Sequence, residues 1–262
     1  GLAADIAVAP EVAEVRVAVT YNPVAEGGRF DLDGRLLAGL RLPLLKGPID
    51  VAYNGRTGDL YTVRMWQGNL HFDHYTAAGA LDRQWETGFT AAPVGLTVDD
   101  RTGMVSTLLA TPGSSDVQVD LLGFTASGAL QDSWSAAVPV APVAFARDVD
   151  LATYIVSGDG AGGGQLRKFG AGGVARGEWV LDARPLAIAV GADDVFVAGM
   201  STGSAERVVR RFGRDGEARG DWWLGGVPLA IDVGPDELVY VLVQRSGGLD
   251  LAVEKYTGTP PS

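Results

Sequence analysis

Six apolar residues, Ile6, Val51, Leu96, Phe145, Ile188 and Ile231, follow one another at steps of 45, 45, 49, 43 and 43 residues. A proline stands three residues ahead of each of the last five: Pro48, Pro93, Pro142, Pro185 and Pro228. A period of this length restricts the chain to a solenoid, a ring or an array of similar units. Proline fixes φ and lacks an amide donor, so it suits the residue just before a strand.

Two further landmarks keep the same register. An aromatic is followed four residues later by glycine in Phe30/Gly34, Tyr75/Gly79, Phe124/Gly128, Phe169/Gly173 and Phe212/Gly216. Tyr256 is the sixth aromatic and has no matching glycine. The aromatic ends a strand, and the glycine supplies a turn conformation that other residues avoid. A tryptophan (Trp85, Trp134, Trp179, Trp222) precedes the proline by six or eight residues, and Leu40 takes its place in the first unit.

The segments between landmarks are short and rich in β-branched and aromatic residues. Leu60-Tyr-Thr-Val63, Thr153-Tyr-Ile-Val156, Val195-Phe-Val197 and Leu238-Val-Tyr-Val-Leu242 are examples. No window sustains apolar spacing at i, i+3, i+4 and i+7. Four short strands in about 45 residues is the pattern of a propeller blade. The expected fold is therefore all-β: a six-bladed β-propeller in one domain spanning residues 1–262. The last unit ends after its third strand, so one blade is expected to be three-stranded. A β-sandwich with accidental internal similarity is the alternative.

The Pro-x-x-Ile-x-Val inner strand, the Val-Tyr-Val middle strand and the Phe-x-x-x-Gly turn resemble those of the NHL-repeat family of six-bladed propellers. The resemblance covers nearly the whole chain. It departs from the family where the middle strand should end in aspartate and the next begin Arg-Ile. The corresponding stretches, such as Arg64-Met-Trp66, Leu109-Ala-Thr111 and Gly199-Met-Ser201, differ. They are expected to be diverged loops, and the family's ligands do not carry over to them.

Composition narrows the partners. The formal net charge is −11. Nucleic acid and anionic membranes both call for a basic face, so neither is expected as a partner. With no cysteine, disulfides, thiolate metal sites and a cysteine nucleophile are excluded. No apolar run reaches the ~18 residues of a membrane helix. The chain opens directly on its first inner strand without a signal peptide, and a leader is expected to have been removed. That makes an extracytoplasmic or secreted location the expectation, with the cytoplasm left open.

Strand order assigns the loops to two faces. One carries Glu11, Glu14, Asp59, Asp99, Asp100, Asp148, Asp150, Asp194, Asp236 and Glu237 among others, and reads as strongly acidic. Aspartate favours tight turns through bonds to its own backbone, so turn chemistry explains most of this density. No calcium-loop spacing occurs. The other face carries Lys46, Arg64, Trp66, Phe89, Arg184 and Arg245, with Met65, Asp159, Met200 and Gln244 nearby. Exposed tryptophan with arginine is the composition of a protein-binding hot spot.

Three motif matches carry no chemistry. Gly199-Met-Ser201-Thr-Gly203 has the spacing of a nucleophile elbow, but it lies between strands and far in sequence from His71 and His74. Gly158-Asp-Gly-Ala-Gly-Gly163 has the spacing of a dinucleotide fingerprint, but no helix follows. In a strand, His71 and His74 point to opposite faces and cannot share a metal ion. His74 aligns with Lys168, Arg211 and Lys255, which suggests a solvated strand edge. Arg210-Arg211 reads likewise as edge-strand charge.

The leading functional expectation is a non-enzymatic binding or scaffold propeller working through protein contacts, with no cofactor, no metal and no assigned catalytic residue. The alternatives are a lactonase- or lyase-type propeller enzyme with a site at the central channel, where Asp5, Asp50 and Asp232 are the inner-strand carboxylates, and a carbohydrate-binding propeller using Trp66 and Phe89.

Overall fold

The computed structural model describes residues 3–9, 13–21, 24–33, 35–43, 49–204, 206–234, 237–245 and 250–257. Lys46, Pro48, Glu11, Gly34, Asp236 and the side chain of Leu40 lie outside the described residues.

Six antiparallel sheets follow one another along the chain, five of four strands and one of three, and no helix occurs among the described residues. The first sheet is β1 (Ala3–Ala9), β2 (Glu14–Tyr21), β3 (Val24–Asp31) and β4 (Leu36–Pro43). The second is β5 (Asp50–Tyr53), β6 (Leu60–Trp66), β7 (Asn69–Tyr75) and β8 (Leu81–Thr87). The third is β9 (Ala92–Val98), β10 (Val105–Pro112), β11 (Val117–Phe124) and β12 (Leu130–Val138). The fourth is β13 (Pro142–Arg147), β14 (Thr153–Gly158), β15 (Gly164–Phe169) and β16 (Ala175–Leu181). The fifth is β17 (Ala183–Val190), β18 (Asp194–Ser201), β19 (Arg207–Gly213) and β20 (Ala218–Trp223). The last is β21 (Val227–Val233), β22 (Val239–Gln244) and β23 (Leu251–Tyr256). Strands pair in sequence order within each sheet, so each sheet is one meander and one blade of a six-bladed β-propeller.

The chain divides into two compact units, residues 1–137 and 138–262. Side chains alternate between the two faces of a strand, so each blade can bury both faces. In the first unit, Ala52, Tyr61, Val63, Leu70 and Phe72 of the second blade meet Leu96, Val105, Leu109, Leu122 and Phe124 of the third. In the second unit, Tyr154, Val156, Leu166 and Leu181 of the fourth blade meet Ile188, Val195, Val197 and Phe212 of the fifth. Phe196, Ala198, Val209 and Trp222 of the fifth meet Ile231, Val239, Val241 and Val243 of the sixth.

The repeat landmarks find their reasons here. The described prolines belong to the inner strands rather than preceding them: Pro93, Pro185 and Pro228 sit inside, and Pro142 is the first strand residue. Pro142, Pro185 and Pro228 each mark a shift of register against the middle strand. The bulge leaves the residue after each proline, Val143, Leu186 and Leu229, without a register partner, and a locally disrupted ladder of this kind is a place where proline is tolerated. The tryptophans lie on the outer strands, and Trp85 and Trp179 are each directed to the next blade's turn glycine. A Cβ built on Gly128 (φ +85°) would stand 2.8 Å from Cγ of Trp85. One built on Gly216 (φ +84°) would fall inside the indole of Trp179. Tyr256 has Pro260 rather than glycine four residues on, and its ring lies 6.3 Å from that of Trp222.

Several expectations for polar residues are corrected. Strand β6 continues through Arg64-Met-Trp66, and β18 through Gly199-Met-Ser201. These stretches are strand ends, not loops, and Arg64 is buried for that reason. His74 is not a solvated edge. It is 9% exposed and stacks on Tyr61, with ring centroids 4.5 Å apart and planes 7° from parallel. Register pairs Tyr61 with His74, Tyr154 with Lys168, Phe196 with Arg211 and Tyr240 with Lys255. A cationic or imidazole side chain thus recurs opposite a middle-strand aromatic. Lys168 Nζ lies 5.3 Å from the Tyr154 ring centre and Lys255 Nζ 5.6 Å from that of Tyr240. Arg210 and Arg211 are on β19, which is paired on both sides, so they are not edge charges.

Candidate protein-binding surface

The second blade and the turn that follows it carry two exposed aromatics, Trp66 and Phe89. The blade's faces are set by strand alternation. Val63, Met65, Leu70, Phe72 and Trp85 point to the apolar core. Thr62, Arg64 and Trp66 take the other face, with Asn69, His71 and Asp73 opposite them on β7. That face is polar and closely bonded. Asp73 accepts from Arg64 Nε at 3.1 Å and Nη2 at 3.0 Å, from Thr62 Oγ1 at 3.2 Å, and from Gln84 Nε2 at 2.6 Å. The Arg64 and Asp73 side chains are 8% and 2% exposed. A bidentate, buried pair of this kind positions a strand. Arg64 is accordingly consumed inside the blade, and its guanidinium is not presented to a partner.

Trp66 closes this face at the tip of the β6–β7 hairpin. The two turn residues, Gln67 and Gly68, both have positive φ, 52° and 85°. That conformation fits the right-handed twist of the flanking strands, and glycine accepts it readily. Phe89 is brought to the same end of the sheet by a backbone bond, Leu70 N–H to Phe89 O at 3.0 Å. Trp66 and Phe89 are 38% and 37% exposed. Around them Asn69 Nδ2 donates to Glu86 Oε1 at 2.5 Å, and His71 Nε2 lies 3.6 Å from Glu86 Oε2. Two half-exposed aromatics at one end of the sheet, with a polar rim, have the composition enriched at protein-binding hot spots. Arg184 and Arg245 are exposed and belong to the second unit. Arg245 lies 3.8 Å from Glu254.

The acidic loops are far less like-charged than the sequence suggests. Glu14 lies between Arg29, whose Nε donates at 2.9 Å, and Arg16 at 3.6 Å. The hydrogen bond from Arg29 holds the Glu14 carboxyl below its usual range, against the opposing effect of burial. Asp194 accepts from Arg211 and Arg219 at 2.5 and 2.7 Å. Arg214 reaches Asp148 at 3.5 Å and Asp150 at 3.4 Å. Turn chemistry is also present: Asp99 Oδ1 accepts from the amides of Arg101 and Thr102, and Asp148 Oδ1 from those of Asp150 and Ala152. The glycine-rich stretch after β14 is ordered similarly, with Asp159 Oδ1 accepting from Ala161 and Gly163. The arginines that neutralise this face come from other strands and turns, which no local window displays.

The inner-strand carboxylates are structural ties. Asp5 and Asp50 occupy equivalent positions, one residue before Ile6 and Val51. Asp5 Oδ2 accepts from Tyr53 N–H of the second blade at 2.9 Å, and Asp50 Oδ2 from Leu96 N–H of the third at 2.8 Å. Burial pushes the Asp50 carboxyl up to about 7, while the amides of Leu96 and Val51 pull the other way. Asp50 as a whole residue keeps some solvent contact although protein atoms crowd its carboxyl. Asp100, which accepts from Gly55 N–H at 2.5 Å, is pushed by burial up to about 6. Among the described residues no three His, Asp or Glu side chains gather as a metal site.

Solved structures similar to this chain include β-propeller domains. The β-propeller domain of Myceliophteria thermophila Cps50 (Swd1) is 10% identical, with 98% of each chain covered and a TM-score of 0.59. The WD40 propeller domain of Doa1 is 12% identical, over 97% of this chain and 78% of that one, with a TM-score of 0.60. BBS1N, solved in complex with ARL6DN, is 16% identical, over 98% and 77%, with a TM-score of 0.57. At these identities the likeness defines the fold, a six-bladed β-propeller with WD40 propellers among its structural neighbours. No protein-family model and no curated protein sequence matches the chain.

Proposed function

We propose that the chain is a non-enzymatic scaffold, one six-bladed propeller domain that binds a protein partner through the Trp66–Phe89 end of its second blade. The observation that carries this is the partial exposure of both aromatics on backbone held rigid by the Arg64–Asp73 pair and the Leu70–Phe89 bond. Large amphipathic rings at low entropy cost are what dominate protein interfaces. Structural neighbours that work in protein complexes, such as BBS1N with ARL6DN, support the class of activity. The repeat motifs support kinship with NHL propellers. An extracytoplasmic location belongs to the same proposal; it rests on sequence and is tested by fractionating the source cells.

The test is capture of partners on the immobilised chain compared with Trp66→Ala and Phe89→Ala. Loss of the captured protein in both variants, with an unchanged melting temperature, is expected. Retention in both would overturn the assignment. Asp5 and Asp50 are bonded to backbone amides of neighbouring blades, so they support a structural role and not a channel enzyme.

A further inference from the structure

Among the described residues the last blade has three strands, and four of the four-stranded blades show what a fourth strand does. At one third-strand position, Phe72, Leu121, Leu166 and Val209 are each 0% exposed. Opposite three of them register places an outer-strand tryptophan: Trp85 on Phe72, Trp179 on Leu166 and Trp222 on Val209. The equivalent residue of the last blade is Val253, and it is 36% exposed. Among the described residues β23 pairs only with β22.

The residue before each tryptophan is matched to its neighbour as well. Glu178 pairs with Arg167 at 2.9 Å, Asp221 with Arg210, and Gln84 donates to Asp73 at 2.6 Å. The equivalent third-strand residue of the last blade is Glu254, so the sign is reversed. Glu254 accepts from Gly225 N–H at 3.0 Å and from Tyr256 Oη at 2.6 Å, which fixes its carboxylate at this edge, and its one cationic neighbour among the described ion pairs is the half-exposed Arg245 at 3.8 Å. Tyr256 Oη also meets the carbonyl of Trp223, whose side chain is 57% exposed.

We infer that the open edge of β23 accepts an extended segment of a partner protein as a fourth strand, and that this segment carries a lysine or arginine immediately before a tryptophan. Backbone bonding along the edge supplies affinity, and alternate side chains supply selection. The tryptophan covers Val253, and the basic residue faces Glu254. Opposite charges directly across a strand pair favour pairing, and like charges oppose it. The surface is a sheet edge, separate in the chain from Trp66 and Phe89, so the two assignments stand or fall separately.

The probes are labelled synthetic octapeptides copying residues 217–224, titrated into the full chain and followed by fluorescence anisotropy. A peptide with Asp221→Lys should bind saturably, and the unaltered acidic copy about tenfold more weakly. Adding Trp222→Ala to the lysine peptide should weaken it by more than about tenfold. In the Glu254→Lys chain the preference should invert, and Val253→Arg should abolish binding of either peptide, with circular dichroism confirming the fold. If Glu254→Lys fails to fold, Val253→Arg and the peptide series decide. Equal affinity of the acidic and lysine peptides, or no saturable binding at millimolar peptide, would overturn the inference. Slow hydrogen exchange along β23 in the peptide-free chain, with no peptide binding, would show the edge covered by the protein's own segment and would overturn it too.

Discussion

Gly216 lies directly under the indole of Trp179, so closely that no side chain could be placed on it. Trp179 belongs to the outer strand of the fourth blade and Gly216 to a turn of the fifth. The pair explains why tryptophan and glycine share the repeat: one blade's ring is seated on the next blade's bare turn. Trp85 and Gly128 repeat the arrangement in the first unit.

Gly216→Ala is expected to cost about 2–4 kcal/mol, from its left-handed backbone together with overlap on the ring. With Trp179→Ala already in place, the overlap is gone and only the backbone cost should remain. A double-mutant cycle by denaturant melts measures this coupling. Trp222, 3% exposed, should cost about 3–5 kcal/mol on truncation to alanine. Additive costs for Trp179 and Gly216 would refute the seating.

Asp50 gives a pH dependence of definite sign. Its folded value of about 7 stands above the ordinary 3.8. Between about pH 4 and pH 7 the folded chain therefore holds a proton that the unfolded chain releases, so stability falls as pH rises through that window. Asp100, raised to about 6, adds a fall of the same sign. Glu14, lowered, acts oppositely: its contribution is present above the unfolded value and is lost on acidification below it. Asp50→Asn keeps an oxygen for Leu96 N–H and removes the charge. It should stabilise the chain at pH 8 by about 1–3 kcal/mol, after allowance for partial solvent contact, and the gain should vanish near pH 4. Melting temperatures across this range check it; a gain that persists unchanged at pH 4 would exclude the titration of Asp50 as its source.

Much of the fold is legible in sequence because the repeat samples the same physics six times. Any one aromatic–glycine pair is weak evidence, but five in register indicate strand number and blade count. The polar positions were less legible because their partners are remote. Arg64 reads as a loop residue until β6 is seen to extend past it, and its partner Asp73 has no motif. Asp194 looks like free turn charge until Arg211 and Arg219 arrive from β19 and β20. Trp66 and Phe89 were visible as aromatics outside the repeat pattern. Their common placement depends on a hairpin turn and one backbone bond.

Tyrosines report the same core. Burial, with a smaller contribution from Asp59, raises Tyr61 to about 12, and burial with Asp148 raises Tyr154 to about 12. Tyr53, Tyr75 and Tyr256 are raised as well, burial being the largest cause in each. The folded state thus disfavours tyrosinate, and stability is lost as pH climbs from the ordinary value of 10.0 toward 12. Ultraviolet titration of the native chain should show little ionisation of Tyr61 and Tyr154 below pH ~11. Ionisation centred at pH 10 without loss of structure would mean the rings are open to water.

The Arg64–Asp73 pair links stability to the proposed surface. Both side chains are buried, and Asp73 also serves Thr62 and Gln84. Removing one partner leaves the other charge buried without its counter-ion, so Arg64→Ala or Asp73→Ala should each cost about 3–5 kcal/mol. Replacing both by apolar residues of similar volume, Arg64→Met with Asp73→Leu, should cost much less than the sum, since no lone charge remains. Binding should respond in another pattern. Trp66 stands two residues beyond Arg64 on the same face of β6, so loss of the pair loosens the strand that presents it. Arg64→Ala should then weaken partner binding only as far as it destabilises the blade, with recovery in the Met–Leu variant. Trp66→Ala should abolish binding with little change in melting. If Arg64→Ala eliminates binding in a fully folded blade and the Met–Leu variant does not restore it, the guanidinium itself contacts the partner and the burial assigned to it is wrong.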